Sequence, residues 1–256
     1  MAVFTYTPHR DFIPDLFYEV SRQNISGASS VLKFGRNVDV DTGAVEDIWD
    51  GGGTWTPPTA ARGHNVRSSN ACDVSDGAGA RTVEIFGLDT DYVQQNETIT
   101  LNGTTNVSTS GSYVRIHRMI VRTAGSDGIN HGDITACAPT EDTVTAQISA
   151  SFNQTLMAIY TVAASHTAYM TSFYANMLRN NTTGAANIFL KVQPDGEPLQ
   201  IKNVQGLIGA GTSHFSHLFG LPFRVTEKSD IRIQADVTAN NTDIAAGFDL
   251  ALVANG

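Results

Sequence analysis

The stretch "EDIWDGGGTWTPP", residues 46–58, holds both tryptophans of the chain, Trp49 and Trp55, around a Gly51-Gly52-Gly53 run and ahead of Pro57-Pro58. Where these two indoles find shelter decides how the first part of the chain is organised. A glycine loop that cradles phosphate needs a strand before it, a helix behind it and a basic residue. None of these flanks the stretch. An anchoring segment needs large aromatic side chains on backbone free enough to follow another surface. Burying one such ring contributes roughly 1.5–3 kcal/mol, and aromatic residues dominate association hot spots. Ordering the glycines costs entropy, a cost offset if docking fixes their conformation. The stretch therefore reads as an anchor, against a plainer reading in which the tryptophans fill the chain's own core.

Working outward, residues 1–56 read as an extended N-terminal arm. Asp11 to Asn24 spaces Phe12, Leu16, Phe17 and Val20 near the helical period, with Pro14 early enough for a first turn, so a short helix is expected there. VLKFGRNVDVDTG follows, and its apolar side chains are too scattered to close a core of their own. Phe12, Phe17, Phe34, Trp49 and Trp55 are the residues expected to contact a neighbouring subunit.

From residue 57 the pattern is one of strands and turns. ARTVEIFGLD and ETITLNGTTNV alternate apolar and polar residues, and Asn102-Gly103 is the favoured two-residue hairpin turn. SYVRIHRMIVRTAG alternates with one break near His117-Arg118, which a β-bulge would explain. Residues 57–138 are thus expected to form a small β-sandwich, with CAPTED (137–142) as linker. Residues 139–256 offer eight strand candidates: TVTAQISA, QTLMAIYTV, TAYMTSFYANML, ANIFLKVQP, LQIKNVQGL, FSHLFGLPFRV, DIRIQADV and AAGFDLALV. That number and length match a jelly-roll-like sandwich. The fold class expected is all-β, antiparallel β-sandwich and jelly-roll domains behind an arm.

Composition narrows the function. Net charge is −9, with four lysines and twelve arginines. Nucleic-acid affinity comes mostly from neutralising phosphates, so no nucleic-acid partner is expected. No apolar run approaches the roughly 18 residues of a membrane span, and the N-terminus lacks signal-peptide features. Cys72 and Cys137 make no disulfide framework, and free thiols are expected.

The chemistry-like motifs each lose to a plainer reading. His214 and His217 are three apart, a metal-like spacing on a helix, but in a strand they point to opposite faces. His131 beside Asp133 resembles a base and its partner, yet Asn-His-Gly-Asp is also ordinary turn vocabulary and no nucleophile motif accompanies it. Asp39 and Asp41 hint at a calcium loop, but position six would be Ala44 and position twelve Asp50. Gly77 and Gly79 in SDGAGART lack the phosphate-loop lysine. No catalytic residue, cofactor or metal is expected, and the chain reads as no enzyme.

VLKFGRN…EDIWDGGGTW, DGAGARTVEIFGLD, ETITLNGTT and YVRIHRMIV, with QTLMAIYTV, TAYMTSFYA, TSHFSHLFGLPFRVTEKSDIRIQA and NNTDIAAGFDLALV, resemble virion structural proteins of tailed bacteriophages, of the kind found in short-tailed and marine phages. The resemblance covers the chain from about residue 31 and implies a particle component assembled in the host cytoplasm, often trimeric on heads, with no catalytic residues to carry over. The expectation is a capsid decoration, or cement, protein on the capsid surface. Its expected partners are the major capsid protein and copies of itself, as a homotrimer. The alternative is a tail- or fibre-associated component in which Tyr169, Phe173 and Tyr174 touch a host glycan. A glycan-degrading enzyme is a third reading, disfavoured because no repetitive β-helix pattern occurs.

Overall fold

The computed structural model describes residues 16–139, 143–179, 184–209 and 213–256. A six-residue helix, α1 (Leu16–Ser21), precedes sixteen strands: β1 (Ala28–Val40), β2 (Glu46–Asp47), β3 (Asn65–Ser68), β4 (Ala80–Leu88), β5 (Gln94–Thr100), β6 (Val107–Ser108), β7 (Arg115–Ala124), β8 (Ile134–Ala138), β9 (Thr143–Ile148), β10 (Ile159–Thr161), β11 (His166–Arg179), β12 (Gly184–Gln193), β13 (Gln200–Gly209), β14 (Ser213–Val225), β15 (Asp230–Val237) and β16 (Thr242–Ala254). Every pairing among the strands is antiparallel. The protein is nearly all β, as the alternating patterns require.

Four sheets carry the strands. Two have the orders β1-β16-β11-β14 and β10-β15-β12-β13, with β2 also on β15; the others are β6-β3-β8-β9 and β5-β4-β7. Their number is that of the blades in a small propeller. Blades are radial repeats, however, whereas the first two sheets interleave strands from distant parts of the chain. Both of these sheets feed one hydrophobic cluster, with Phe173, Met170, Phe248 and Leu250 from one and Ile188, Leu190, Ile231 and Ile233 from the other. The two smaller sheets share a second cluster around Ile85, Met119, Ile134 and Ile148.

The eight strand candidates of the second half all form, as β9 to β16, but the boundaries differ from those expected. β9 pairs with β8 across the CAPTED segment, so that segment is no linker, and β9 belongs with the smaller sheets. Its place in the larger unit is taken by β1, which runs against β16 from Ala28↔Val253 to Val40↔Thr242. Residues 28–49 are therefore no arm. Alternation at Lys33, Gly35 and Asn37, all buried, was legible only as scattered hydrophobicity because the inward positions are polar or lack a side chain. Gly35 has to be glycine: a Cβ there would lie 2.2 Å from the Ile48 carbonyl oxygen and 2.3 Å from Ala158 N. The smaller unit is inserted between β2 and β10 of the larger one.

The break near His117 is a bulge: Phe86 pairs with Arg118 but Gly87 with Ile116, leaving His117 as the extra residue. The Asn-Gly turn is present one residue later than expected. Asn102 bridges Thr105 around Gly103, whose φ is 59°. It does not make a hairpin, since β5 pairs with β4 while β6 pairs with β3.

The glycine-tryptophan stretch clasps the two units together. Trp49 and Trp55 form a small buried cluster with Met157 and Ile159, and Val144 of β9 packs on it. The Trp55 indole Nε1 donates to the Thr145 carbonyl of β9 at 2.9 Å, and its backbone N donates to Asp47 Oδ2 at 2.8 Å. Arg232 of β15 lies over the Trp55 ring, 4.7 Å from its centroid. The run of glycines lets the Trp49 ring fold back onto the chain, because a Cβ at Gly51 would stand 2.2 Å from Trp49 Cη2. Gly51→Ala is expected to lower stability by about 1–3 kcal/mol, as overpacking of a buried ring does; thermal unfolding would read it, and an unchanged midpoint would contradict the clasp.

Candidate assembly interface

With the tryptophans enclosed, exposed apolar surface has to be sought elsewhere. β13 and β14 end their respective sheets, each paired on one side only. On β14, one side carries Phe215, Phe219 and Phe223, half-buried against the core, in an aromatic row with His217 between Phe215 and Phe219. The alternation then breaks. Met170 pairs with Phe223 but Ser172 with Leu218, so residue 171 of β11 faces residues 219–222 of β14. Pro222 in that bulge has no N–H to give a ladder. The bulge thrusts Leu221 outward at 87% exposure, beside Leu218 at 75%. On β13, Ile201, Val204 and Ile208 point out of the other sheet, Ile208 at 80%.

Such an edge is a hazard for a chain that stays alone. The bulge and Pro222 block strand-to-strand addition at this point, so side chains and not a backbone ladder would make the contact. Singly exposed apolar residues need no explanation; here they form two strips, Leu218 with Leu221 on the outer side of β14 and Ile201, Val204 and Ile208 on the outer side of β13.

The residues expected at a subunit contact are dispersed. Trp49 and Trp55 are buried in their own fold, which corrects their assignment: the reading from sequence took glycine flexibility as a sign of docking when it serves a ring folding back locally. Phe12 and the Phe17 side chain lie outside the described residues. Phe34 is on the exposed side of β1 with Leu32, and is available for contact. Of the aromatic set considered for glycan contact, Phe173 is fully buried and β11 is an interior strand. That set therefore does not form an exposed edge.

The motifs reduce to structure. His214 is exposed and His217 half-buried on opposite faces of β14. His131 Nε2 sits 2.8 Å from Asp127 Oδ2, not on Asp133, whose Oδ1 accepts from Ala150 N. The turn around His131 is tied by Asp73, a buried carboxylate that accepts from Ser68 Oγ and from the backbone N of Ala80, His131 and Gly132. Asp41 accepts from Asn241 N, and Asp39 donates its own N–H to Asn37 Oδ1. Among the described residues no cluster of metal-ligating side chains occurs, and no helix is long and apolar enough to cross a membrane. Cys72 is an exposed free thiol.

Sequence reasoning missed the ionic joint between the units. Arg115 of β7 makes a two-pronged pair with Asp230 of β15, both contacts at 3.0 Å, and Thr161 Oγ1 donates to the same carboxylate. Arg232 completes the joint, donating to the Trp55 carbonyl at 3.0 Å and lying 3.7 Å from Asp47. Burial pushes the Asp47 carboxyl up, and Arg232 opposes that rise. The unusual placement of charge in strand positions such as DIRIQAD was the available signal.

No family model, curated protein or solved structure matches the chain. The functional reading therefore stands on the molecule's own features.

Proposed function

We propose that the chain is a non-enzymatic virion structural protein, a decoration protein that binds and stabilises the head shell of a tailed phage. The observation that carries this reading is the pair of apolar strips on β13 and β14, where Leu221, Ile208 and Leu218 are the most exposed large apolar side chains among the described residues. The strand orders β1-β16-β11-β14 and β10-β15-β12-β13 support a two-sheet sandwich in jelly-roll order for the larger unit, an architecture common in capsid domains. The negative charge keeps such a protein off packaged nucleic acid. In this reading copies of the chain join as a homotrimer through Leu218 and Leu221 of β14, and Phe34 with Leu32 is left for the major capsid protein. Assembly takes place in the host cytoplasm.

Replacing Leu218 and Leu221 together by aspartate tests the self-contact. Each leucine is worth roughly 1.5–3 kcal/mol when buried, and about 1.4 kcal/mol is tenfold in affinity. Association should weaken by about a hundredfold or more, read as a shift from trimer to monomer by light scattering, with the melting temperature unchanged. A chain that is monomeric before substitution would remove the interface. Copy number on particles separates the head from the tail reading: hundreds support decoration, and a small multiple of three or six supports a tail component.

A further inference from the structure

Between the two units, away from the apolar edge, lies a cleft of about 390 Å³, large enough for a monosaccharide-sized ligand. Lys33 of β1, and His117 and Arg118 of the β7 bulge, converge on it. Lys33 is 6% exposed, and its ammonium donates to the His117 carbonyl. His117 Nδ1 is buried with no hydrogen-bond partner among the described residues. No aspartate or glutamate lines the cleft. In a chain of net charge −9, Lys33 and Arg118 meet here with no carboxylate among the lining residues, Arg118 reaching only the neutral Gln154 Oε1 at 3.5 Å, whereas a buried charge normally has a partner. Burial, then Arg118, lowers the Lys33 ammonium to about 7; burial, then Lys33 and Arg118, holds His117 down near 3.

The remainder of the cleft is suited to a polyhydroxylated ring. Phe86, half-buried, lines one wall, and the exposed Gln94 reaches the hydroxyl of the buried Tyr160 at 3.4 Å. A second hollow shares Phe86, Gln94 and His117 and extends the cleft along β5; there the amides of Gln95 and Asn96 already donate to the Ser112 carbonyl and to Glu84, and Gln94 is the amide that faces the cleft. Glu84, at that far end, is already engaged by Asn96 and Arg122.

We propose that this inter-unit cleft binds an acidic sugar, its carboxylate against Lys33 and Arg118 and its hydroxyls on the Gln94 amide of β5. The site goes beyond the assembly role and is complete within one chain; because Leu32 and Phe34, left above for the capsid protein, also line it, sugar and capsid protein would compete for it. Binding of a carboxylate would hold Lys33 protonated, so at pH 8 complex formation takes up protons. The groups facing Lys33 are His117 and Arg118 on β7 and Tyr160 on β10. Of these, Tyr160 is pushed up to about 12 by burial and stays neutral.

Calorimetric titration with glucuronate, glucose, benzoate and inorganic phosphate, in Tris and in HEPES at pH 8, tests the site. Glucuronate should bind at least tenfold more tightly than glucose, with an enthalpy that differs between the buffers by the proton taken up. Lys33→Met should abolish that binding and the buffer dependence while circular dichroism stays that of the parent chain. Gln94→Ala, at an exposed position, should weaken glucuronate several-fold without moving the melting temperature. Glucuronate bound equally by the Lys33→Met variant, or no tighter than glucose, would overturn the proposal. So would benzoate or phosphate binding where glucuronate does not.

Discussion

A chain beginning at residue 56 is expected not to fold. Such a deletion removes β1, which covers one flank of β16, and β2, which covers part of β15. It also takes away the buried side chains of Val40, Ile48, Trp49 and Trp55. At roughly 1.5–3 kcal/mol for each fully buried group, the loss is comparable to the whole stability of an ordinary domain, about 5–15 kcal/mol. The long edge of β16 would be bared as well, together with Gln234 and Ala235 of β15, and such an edge invites aggregation. The check is expression of residues 56–256 followed by circular dichroism and gel filtration. A soluble, cooperatively melting product would mean that the early strands are dispensable after all.

The second large effect lies at the ionic joint. Asp230→Ala is expected to lower stability by about 3–5 kcal/mol, the range for removing one partner of a buried ion pair. Two guanidinium groups depend on that carboxylate: Arg115 directly, and Arg232 at 3.9 Å. Asp230→Asn keeps the shape and the acceptor oxygen but not the charge, and should lie between the two. Because Arg115 comes from the inserted unit and Asp230 from the larger one, the variant should also split one unfolding transition into two, since each unit has its own cluster of buried apolar residues. Differential scanning calorimetry distinguishes a single lowered peak from separated ones. An unshifted single peak would show that the joint is held by apolar contacts alone.

Much of the fold could be read from residue order. Period-two alternation located the strands from β9 to β16 and the bulge at His117, because one face of each strand is buried and the other is not. What could not be read was partnership. Nothing local in VLKFGRNVDV says that its partner is the segment TDIAAGFDLALVA, and the polar inward residues Lys33 and Asn37 made β1 look like a solvated tail. The same non-local blindness misjudged the tryptophans. Their size correctly marked them as anchors, but the surface they grip is β9, β10 and β15 of the same chain. Lys33, His117 and Arg118 were invisible as a group because sequence separates the lysine from the pair, and only the junction of the units brings them together.

The pairing of β1 with β16 has a temporal consequence. Arg36 and its partner Asp243 are 207 residues apart in sequence, so the larger unit cannot close until the strand that carries Asp243 has been made. The inserted unit, by contrast, needs only residues up to about 156 and can acquire its own core while still tethered to the ribosome. Distant pairings of this kind slow folding. Through that interval β1 must wait uncovered, while the folded insert already offers Trp55 the Thr145 carbonyl and the side chain of Val144.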